Sequence, residues 1–276
     1  MHRRYGKVVQ WWLLAGVIMV FVQIVLGGIT RLTGSGLSIT KWEIVTGTLP
    51  PLNAGQWDEA FGLYKETPQY QKINEGMSMS EFKVIYFWEY LHRLWARSIG
   101  LVFIIPFVVF LFRRKLDRPM LRYLGKLVIL GLVVAAFGWI MVASGLNDRP
   151  WVNAYKLTIH LNLGILLYAM VFWVFLYSRD PVPKVVSHNR LQRHLRVFTV
   201  VLIVQLLIGG IMSGMKAGLY YPTWPDMNGV LMPDVLLQPE LWRVESFVQY
   251  DTLPLAPALV QFMHRMFAYA VLVLGL

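Results

Sequence analysis

The sequence predicts an all-α fold, a polytopic bundle of membrane-spanning helices built as a tandem repeat. Three observations predict it. Of the 276 residues, 57% are hydrophobic and only 15% are charged, a balance typical of an integral membrane protein rather than a soluble domain. Six nearly uncharged runs reach about 20 residues, the length with which a helix crosses a bilayer. A set of motifs also occurs twice in the same order.

The six predicted spans differ in the polar residues that they carry. The first is too long for a signal-peptide core and lacks a small-residue cleavage site, so we expect it to be retained. The second contains Glu89 and Arg93, and ionisable residues inside a membrane indicate function. The third and fifth carry no charge, the fourth contains His160, and the sixth contains His264 and Arg265. The spans cover residues 8–29, 86–112, 127–146, 157–177, 197–215 and 256–276.

The placement of basic residues predicts the orientation of the spans. Fourteen of the 26 Lys and Arg residues lie in the N-terminus and in two short loops, residues 113–126 and 179–196, where only two acidic residues oppose them. Basic short loops face the cytoplasm, so we expect the N-terminus inside and the long loops 30–83 and 216–251 outside. The net charge of +11 therefore reflects orientation in the lipid bilayer. No nucleic-acid motif accompanies it, and no nucleic-acid partner is expected.

An internal repeat runs without a gap over 20 positions. Residues 23–42 and 205–224 are identical at seven of them. Each copy contains a Gly-Gly pair, which is expected to allow close helix approach. Each copy is followed by a long polar loop and then by a His-Arg pair that begins at His92 or at His264. Two matched features in one order predict a duplication, and parallel repeats are a known membrane architecture.

The repeat predicts domain boundaries and a shortened second half. Residues 1–178 are predicted to form a first four-helix repeat, and residues 179–276 a second repeat that shows two helices. The fourth helix contains His160, 68 residues after His92. By the same spacing, a counterpart following His264 would fall near position ~332. Six spans are thus visible of eight expected, and we expect the sequence to be incomplete at its C-terminus or to come from a short relative.

Three of the six histidines lie inside predicted spans at one depth. His92, His160 and His264 each sit a few residues beyond the outer end of a span that runs inward. Two such histidines from facing helices can hold a haem, because neutral imidazole is a good iron ligand. Zinc is a weaker prediction, since the chain has no cysteine and no carboxylate-rich cluster. The alternative is that these histidines are only hydrogen-bonded inside the bundle. That alternative would be the better explanation for a single such histidine, but not for three at one depth.

The charged neighbours of the histidines differ between the repeats. Arg93 and Arg265 each follow a histidine and are candidate partners of haem propionates. Arg93 is also placed to pair with Glu89, four residues earlier. A carboxylate on the helix face of His92 could move protons or stabilise charge on a substrate carbon. The second repeat has Gln261 at this position, and an amide can neither move protons in this way nor stabilise positive charge. Chemistry is therefore predicted in the first repeat and a structural or redox role in the second.

At these residues the sequence resembles the haem A synthase family. The motifs that carry the resemblance are GGITRLTGSGLSITKW (27–42), Glu89-Tyr90-Leu91-His92-Arg93, GWIMVASGL (138–146), His160 and VQFMHR (260–265). They are ordered, lie in or beside the predicted spans, and extend over nearly all of the chain. The cysteine-free outer loop before Glu89 resembles the branch shared by mitochondria and many proteobacteria.

The resemblance implies an oxidoreductase that supplies haem A to cytochrome c oxidase. The family converts the C8 methyl of haem O to a formyl group by successive hydroxylations, which end in a gem-diol that loses water. Glu89 matches the catalytic glutamate of the family, whose expected role is to stabilise or deprotonate the species formed at the methyl carbon.

The resemblance also implies where the two haems bind. The substrate haem is expected at His92 and His160, with Arg93 beside it. A haem b cofactor is expected with its iron on His264, with Arg265 beside it. The second axial ligand of haem b would lie in the eighth helix, which this sequence does not contain.

The expected partners are haem O as substrate, the haem O synthase, an electron donor and the lipid bilayer. The sequence also allows the protein to form a homo-oligomer. The expected location is the bacterial cytoplasmic membrane, or the mitochondrial inner membrane in a eukaryote. Two other functions stay open: a membrane di-haem electron-transfer cytochrome and a non-catalytic haem-delivery or assembly protein. The contrast between Glu89 and Gln261 favours the enzyme, because an electron carrier has no evident need for a buried carboxylate in one half.

Overall fold

The computed structural model describes residues 5–42, 46–146, 149–180 and 188–276, and the regular elements in these ranges are all helical. The all-α prediction is thereby confirmed. In chain order the α-helices are α1 (Lys7–Leu32), α2 (Ala54–Lys65), α3 (Pro68–Lys72), α4 (Met79–Phe112), α5 (Arg118–Ala143), α6 (Ala154–Arg179), α7 (Asn189–Gly214), α8 (Val244–Val248) and α9 (Leu255–Gly275).

Six of these helices, α1, α4, α5, α6, α7 and α9, are long and apolar enough to cross a membrane. The six predicted spans are confirmed, and the chain is an integral multi-pass membrane protein. Several helices begin earlier than predicted, because hydropathy detects only the apolar part of a helix that continues into polar turns. The largest difference is at α5, which begins at Arg118 rather than near residue 127.

A capping box sets the start of α4. The Ser78 hydroxyl accepts a hydrogen bond from the backbone N–H of Glu81, and the Glu81 carboxylate accepts one from the N–H of Ser78. This reciprocal pair satisfies two N–H groups that the helix would otherwise leave without partners. The 34 residues of α4 rise about 51 Å at 1.5 Å per residue, which is longer than a bilayer core is thick.

The chain divides into two compact units by its internal contacts. Over the described residues, the first unit comprises Met1–Asn153 and Leu163–Lys184, and the second comprises Ala154–Asn162 and Val185–Leu276. The first nine residues of α6 therefore group with the second unit. The predicted division into repeats at residue 178 concerns the ancestry of the chain and stays a prediction.

The core of the first unit is built on one face of α1. Val9, Leu13 and Val17 are one helical turn apart and are at most 6% exposed. Trp12 belongs to the same core, and its indole N–H donates a hydrogen bond to the carbonyl of Val102 in α4 at 2.9 Å. The remaining buried members of this cluster are Val20, Phe110, Met120, Leu124, Leu127, Val171 and Val174.

The loop between α1 and α4 folds onto the beginning of α4. Phe61 and Tyr64 of α2 pack on Phe82 of α4 with ring centroids 4.8 and 5.2 Å apart. The buried Tyr64 hydroxyl donates to the Gln69 side chain, whose amide donates to the carbonyl of Gly34 just after α1. The part of this loop that contains α2 and α3 is thus hydrogen-bonded to the segment that follows α1.

The second unit packs the start of α6 against α7 through glycines. A Cβ built on Gly214 would lie 2.5 Å from Cα of Ala154, and one built on Gly210 would lie 3.0 Å from Cγ2 of Thr158. Close approach at the Gly-Gly pair is thereby confirmed for Gly210. The Tyr250 hydroxyl accepts the backbone N–H of Ala154 at 2.9 Å, which satisfies a donor at the first turn of α6.

Gly210→Ala is expected to lower the free energy of unfolding by about 1–3 kcal/mol, because the added methyl meets both the side chain and the Cα of Thr158. The control is Gly28→Ala at the equivalent position of the first repeat, where an added Cβ has no atom within 4 Å. Loss of a helical glycine there should be neutral or stabilise by up to about 1 kcal/mol. Denaturation in detergent micelles measures both, and equal stabilities would contradict the packing argument.

Candidate functional site

The carboxylate of Glu89 is buried and fully engaged in the first unit. The residue is 2% exposed. Its Oε2 accepts hydrogen bonds from the Ser38 hydroxyl at 2.8 Å and from the backbone N–H of Ile39 at 2.9 Å. Its Oε1 accepts from Arg93 at 2.5 Å, which confirms the predicted ion pair. Glu89 therefore binds α4 to the segment that follows α1.

The Arg93 guanidinium holds the same segment. It donates to the carbonyls of Ile39 at 3.0 Å and of Lys41 at 3.3 Å, and it lies 5.0 Å from the ring centroid of Trp42. We call the set of Ser38, Ile39, Lys41, Glu89 and Arg93 the first clasp. It fixes the loop after α1 to α4 at Glu89 and Arg93, on either side of His92 in the sequence.

The second unit contains an equivalent arrangement, the second clasp, formed by Tyr221, Asp226, Gln261 and Arg265. The Gln261 side chain is 2% exposed, and its amide donates to the carbonyl of Tyr221 at 2.7 Å. Arg265 donates to the same carbonyl at 2.6 Å and also to the carbonyl of Asp226. Tyr221 and Ile39 occupy equivalent positions of the repeat. The arginine of each His-Arg pair therefore binds the backbone carbonyl at the equivalent position of its own unit.

The difference between Glu89 and Gln261 accompanies a difference in the hydrogen-bonding groups that contact each side chain from the loop. In the first clasp the loop offers donors, the hydroxyl of Ser38 and the N–H of Ile39, and a carboxylate accepts both. In the second clasp the loop offers the carbonyl of Tyr221, which an amide N–H can bind and an ionised carboxylate cannot. Sequence comparison shows the substitution but not this reason for it.

The two histidine rings lie against the first glycine of each Gly-Gly pair. A Cβ built on Gly27 would lie 3.2 Å from Nε2 of His92, and one built on Gly209 would lie 3.2 Å from Cε1 of His264. Any larger side chain at these glycines would have to push the ring away, because such distances are shorter than ordinary van der Waals contact. The first glycine of each Gly-Gly pair therefore makes room for the histidine ring that packs against it. Sequence patterns alone do not reveal this role.

A glutamine at the first position of the repeat also contacts each histidine. The Gln23 amide donates to the backbone carbonyl of His92 at 3.2 Å. The Gln205 amide lies 3.3 Å from Nε2 of His264. The sequence signal for these glutamines was that both copies of the repeat have Gln at this position. That signal does not distinguish a glutamine that bonds the backbone from one that contacts the ring.

The third predicted histidine, His160, lies in the part of α6 that groups with the second unit, whereas His92 belongs to the first. Their pairing around one haem therefore stays a prediction.

A cleft of about 390 Å³ opens beside the first clasp, within the first unit. Its wall combines the cationic side chains of Arg93 and Arg97 with the apolar run from Leu49 to Leu52. At its rim Lys41 binds Glu59 at 2.7 Å, and this hydrogen bond and the charge of Lys41 lower the pKa of the Glu59 carboxyl.

These features define a class: a polytopic membrane helix bundle in which each of two units carries a half-buried His-Arg motif. A sequence profile of the cytochrome oxidase assembly protein family (COX15-CtaA) matches residues 10–276. The chain therefore belongs to this family, which confirms the predicted resemblance.

Relatives named "Heme A synthase" match along almost the whole chain. That of Nitrosospira multiformis is 42% identical over 97% of this chain and 74% of its own length. That of Bradyrhizobium diazoefficiens is 42% identical over 98% of this chain and 73% of its own. That of Rhodospirillum centenum is 44% identical over 95% and 68%, respectively. No solved structure matches the chain.

Proposed function

We propose that this protein is a haem A synthase, an oxidoreductase that converts haem O to haem A for cytochrome oxidase. The observation that carries the proposal is full-length similarity to relatives of that name, at 42% identity over 97% of the chain. The geometry supports it through the buried carboxylate of Glu89, which lies one turn from His92, whereas Gln261 stands at the matching position before His264. The reaction turns a methyl into a formyl group in two hydroxylations and a loss of water, so the methyl carbon gives up four electrons, which an external oxidant such as dioxygen must accept.

The substrate haem is assigned to the first motif. We propose that His92 and His160 bind its iron and that Arg93 binds a propionate. Arg93 donates to three acceptors in the first clasp, and a guanidinium has five N–H donors, so donors remain for a carboxylate. Glu89 is proposed to act at the methyl carbon, by stabilising positive charge there or by taking up a proton.

The cofactor, haem b, is assigned to His264, with Arg265 beside it. The residues fit such a group in two respects. Nδ1 of His264 is buried without a hydrogen-bond partner among the described residues, and Gly209 leaves room for the ring. Haem iron, when bound, supplies one-electron redox chemistry. We propose an electron donor as the redox partner and the enzyme that makes haem O as the source of substrate.

The proposed orientation places the N-terminus in the cytoplasm and the first clasp near the outer surface. Because the chain has no cysteine, single-cysteine variants report it directly. A membrane-impermeant maleimide should label Ser80→Cys on intact cells and should label Lys115→Cys only after lysis. The reverse pattern would overturn the orientation.

The function is tested by expressing the protein in bacteria that make haem O but lack haem A, and by separating the extracted haems by chromatography. Haem A should appear only with the protein present. Bound haem without conversion in cells that supply haem O and a functional electron-transfer chain would instead favour an electron carrier or a delivery protein.

A further inference from the structure

The cleft beside the first clasp is lined on one side by cationic side chains of α4. Arg93 and Arg97 both border it, and positions four residues apart lie on one face of a helix. Lys41 at the rim adds a third cation, and Glu59, which it binds, is the one carboxylate among the lining residues that the structure describes. Like charges on one helix face repel each other, and an anion held near them relieves this repulsion. The cleft therefore suits an anionic ligand.

Another wall of the cleft is the apolar run from Leu49 to Leu52, which is fixed at both ends. The Tyr90 hydroxyl donates to the carbonyl of Thr48 at 2.7 Å, and the Gln56 side chain accepts the backbone N–H of Leu52 at 2.7 Å. The two prolines between the leucines have restricted backbone angles, which stiffens the run further. Leu49 and Leu52 are nevertheless 67% and 70% exposed. Exposed apolar surface beside charged groups is typical of contact with a partner or with lipid.

The level of the cleft along α4 favours lipid. Residues 98–112 of α4 carry no charge, and Arg113 follows them. From Arg97 to Arg113 the helix rises about 24 Å at 1.5 Å per residue, whereas the hydrocarbon core of a bilayer is about 30 Å thick. Arg97 is therefore expected within about one helical turn of the edge of the core, and its long side chain can extend to the headgroups. The guanidinium of Arg97 then lies at the depth of lipid phosphates.

We propose that the cleft binds an anionic phospholipid, with the headgroup phosphate on Arg97 and an acyl chain along the apolar run. The volume of the cleft, about 390 Å³, is in the range of about 300–1,000 Å³ that is typical of small-molecule sites. A guanidinium binds phosphate oxygens through parallel N–H donors, which gives short and directional hydrogen bonds. The proposed haem-iron ligands are not among the described lining residues, so this site is separate from theirs.

The same charges determine which headgroup the cleft selects. Phosphatidylglycerol has a net negative headgroup, whereas phosphatidylcholine has a cationic choline next to its phosphate. The cationic side chains of Lys41, Arg93 and Arg97 attract the first headgroup and repel the choline of the second. The site therefore prefers phosphatidylglycerol over phosphatidylcholine.

The test measures the binding of phosphatidylglycerol to the full chain in detergent by native mass spectrometry. The unchanged protein should hold one such lipid more tightly than phosphatidylcholine. Arg97→Gln is expected to weaken the binding of phosphatidylglycerol at least about fivefold, the effect of one cation near an anionic lipid surface. Leu52→Asn should weaken it at least about fourfold, because the acyl chain loses apolar contact. Equal affinities in the unchanged protein and both variants would overturn the proposal.

A matched control separates the cleft from general attraction between charges. Lys83→Gln removes an exposed cation from the same helix but outside the cleft, so it should bind phosphatidylglycerol within about twofold of the unchanged protein. A loss as large as that of Arg97→Gln would show only nonspecific attraction and would overturn the site. Arg97→Lys keeps the charge and should recover part of the loss. Leu52 is exposed, so its variant tests the site without a change in the core.

Two further measurements distinguish a lipid from other anions. Glycerol phosphate has the headgroup chemistry without acyl chains, and it should not displace phosphatidylglycerol at an equal concentration. Displacement would assign the cleft to a soluble phosphate and overturn the proposal. Titration with haem b should give the same affinity for Arg97→Gln as for the unchanged protein. A loss of haem binding with phosphatidylglycerol binding retained would assign the cleft to haem and would likewise overturn the proposal.

Discussion

Glu89→Gln is expected to stop the conversion of haem O to haem A while the protein still binds haem. A carboxylate at the reacting carbon can take a proton or stabilise positive charge, and an amide can do neither. Loss of such a group typically slows a reaction on the order of 10² to 10⁴-fold. Chromatography of haems extracted from cells that express each form measures the effect. Normal amounts of haem A from the variant would rule out the catalytic assignment.

The first clasp adds a structural effect that must be separated from the chemical one. Ser38, Ile39 and Arg93 all donate to Glu89, and an amide has only one acceptor oxygen for these three donors. Breaking a buried ion pair by removing one partner costs on the order of 3–5 kcal/mol. The variant is therefore expected to loosen the loop after α1, which faster hydrogen exchange at residues 38–42 would show.

Ser38→Ala is the matched control, because it removes one donor and leaves the carboxylate in place. If activity depends on the carboxylate itself, Ser38→Ala should keep most of the haem A production despite faster exchange in the loop. A loss as large as that of Glu89→Gln would assign the effect to the clasp rather than to chemistry at Glu89.

His264→Ala is expected to remove the absorption spectrum of bound haem b, whereas His92→Ala should retain it. The reason is that each histidine lies in its own unit, against its own glycine, Gly209 or Gly27. Without an imidazole at position 264, the iron at the second site loses the one axial ligand that is proposed for it in this sequence. Absorption spectra of the reduced proteins in detergent measure the difference.

Both histidine variants also need a measure of folding, because removal of a half-buried ring leaves a cavity. The thermal unfolding of each variant should stay close to that of the unchanged protein under the conditions of the spectra. Equal loss of the spectrum in both variants, with folding intact, would contradict two separate haem sites.

The spans and the motif pairs could be predicted from the sequence because they depend on local properties. A bilayer requires about 20 apolar residues whatever the fold, so hydropathy located all six spans. Glu89 and Arg93 are one helical turn apart, so their ion pair follows from spacing alone. The capping box at Ser78 is local in the same way.

The partners of the clasps could not be predicted, because they come from distant parts of the chain. Ile39 bonds Glu89 across 50 residues, and Tyr221 bonds Gln261 across 40. Neither residue type suggests such a contact, since the backbone makes it. Spacing likewise assigned the two arginines to propionates and did not show that each binds loop carbonyls.

By itself, then, the sequence determined the class of this protein, its six spans and the position of each His-Arg pair. Only the tertiary structure decided what these residues touch: a loop of donors around Glu89, a carbonyl at Gln261, and a glutamine on the ring of His264. The physical reason is that hydropathy and helical spacing act along the chain, whereas hydrogen-bond polarity at a buried site depends on which backbone groups another segment turns toward it.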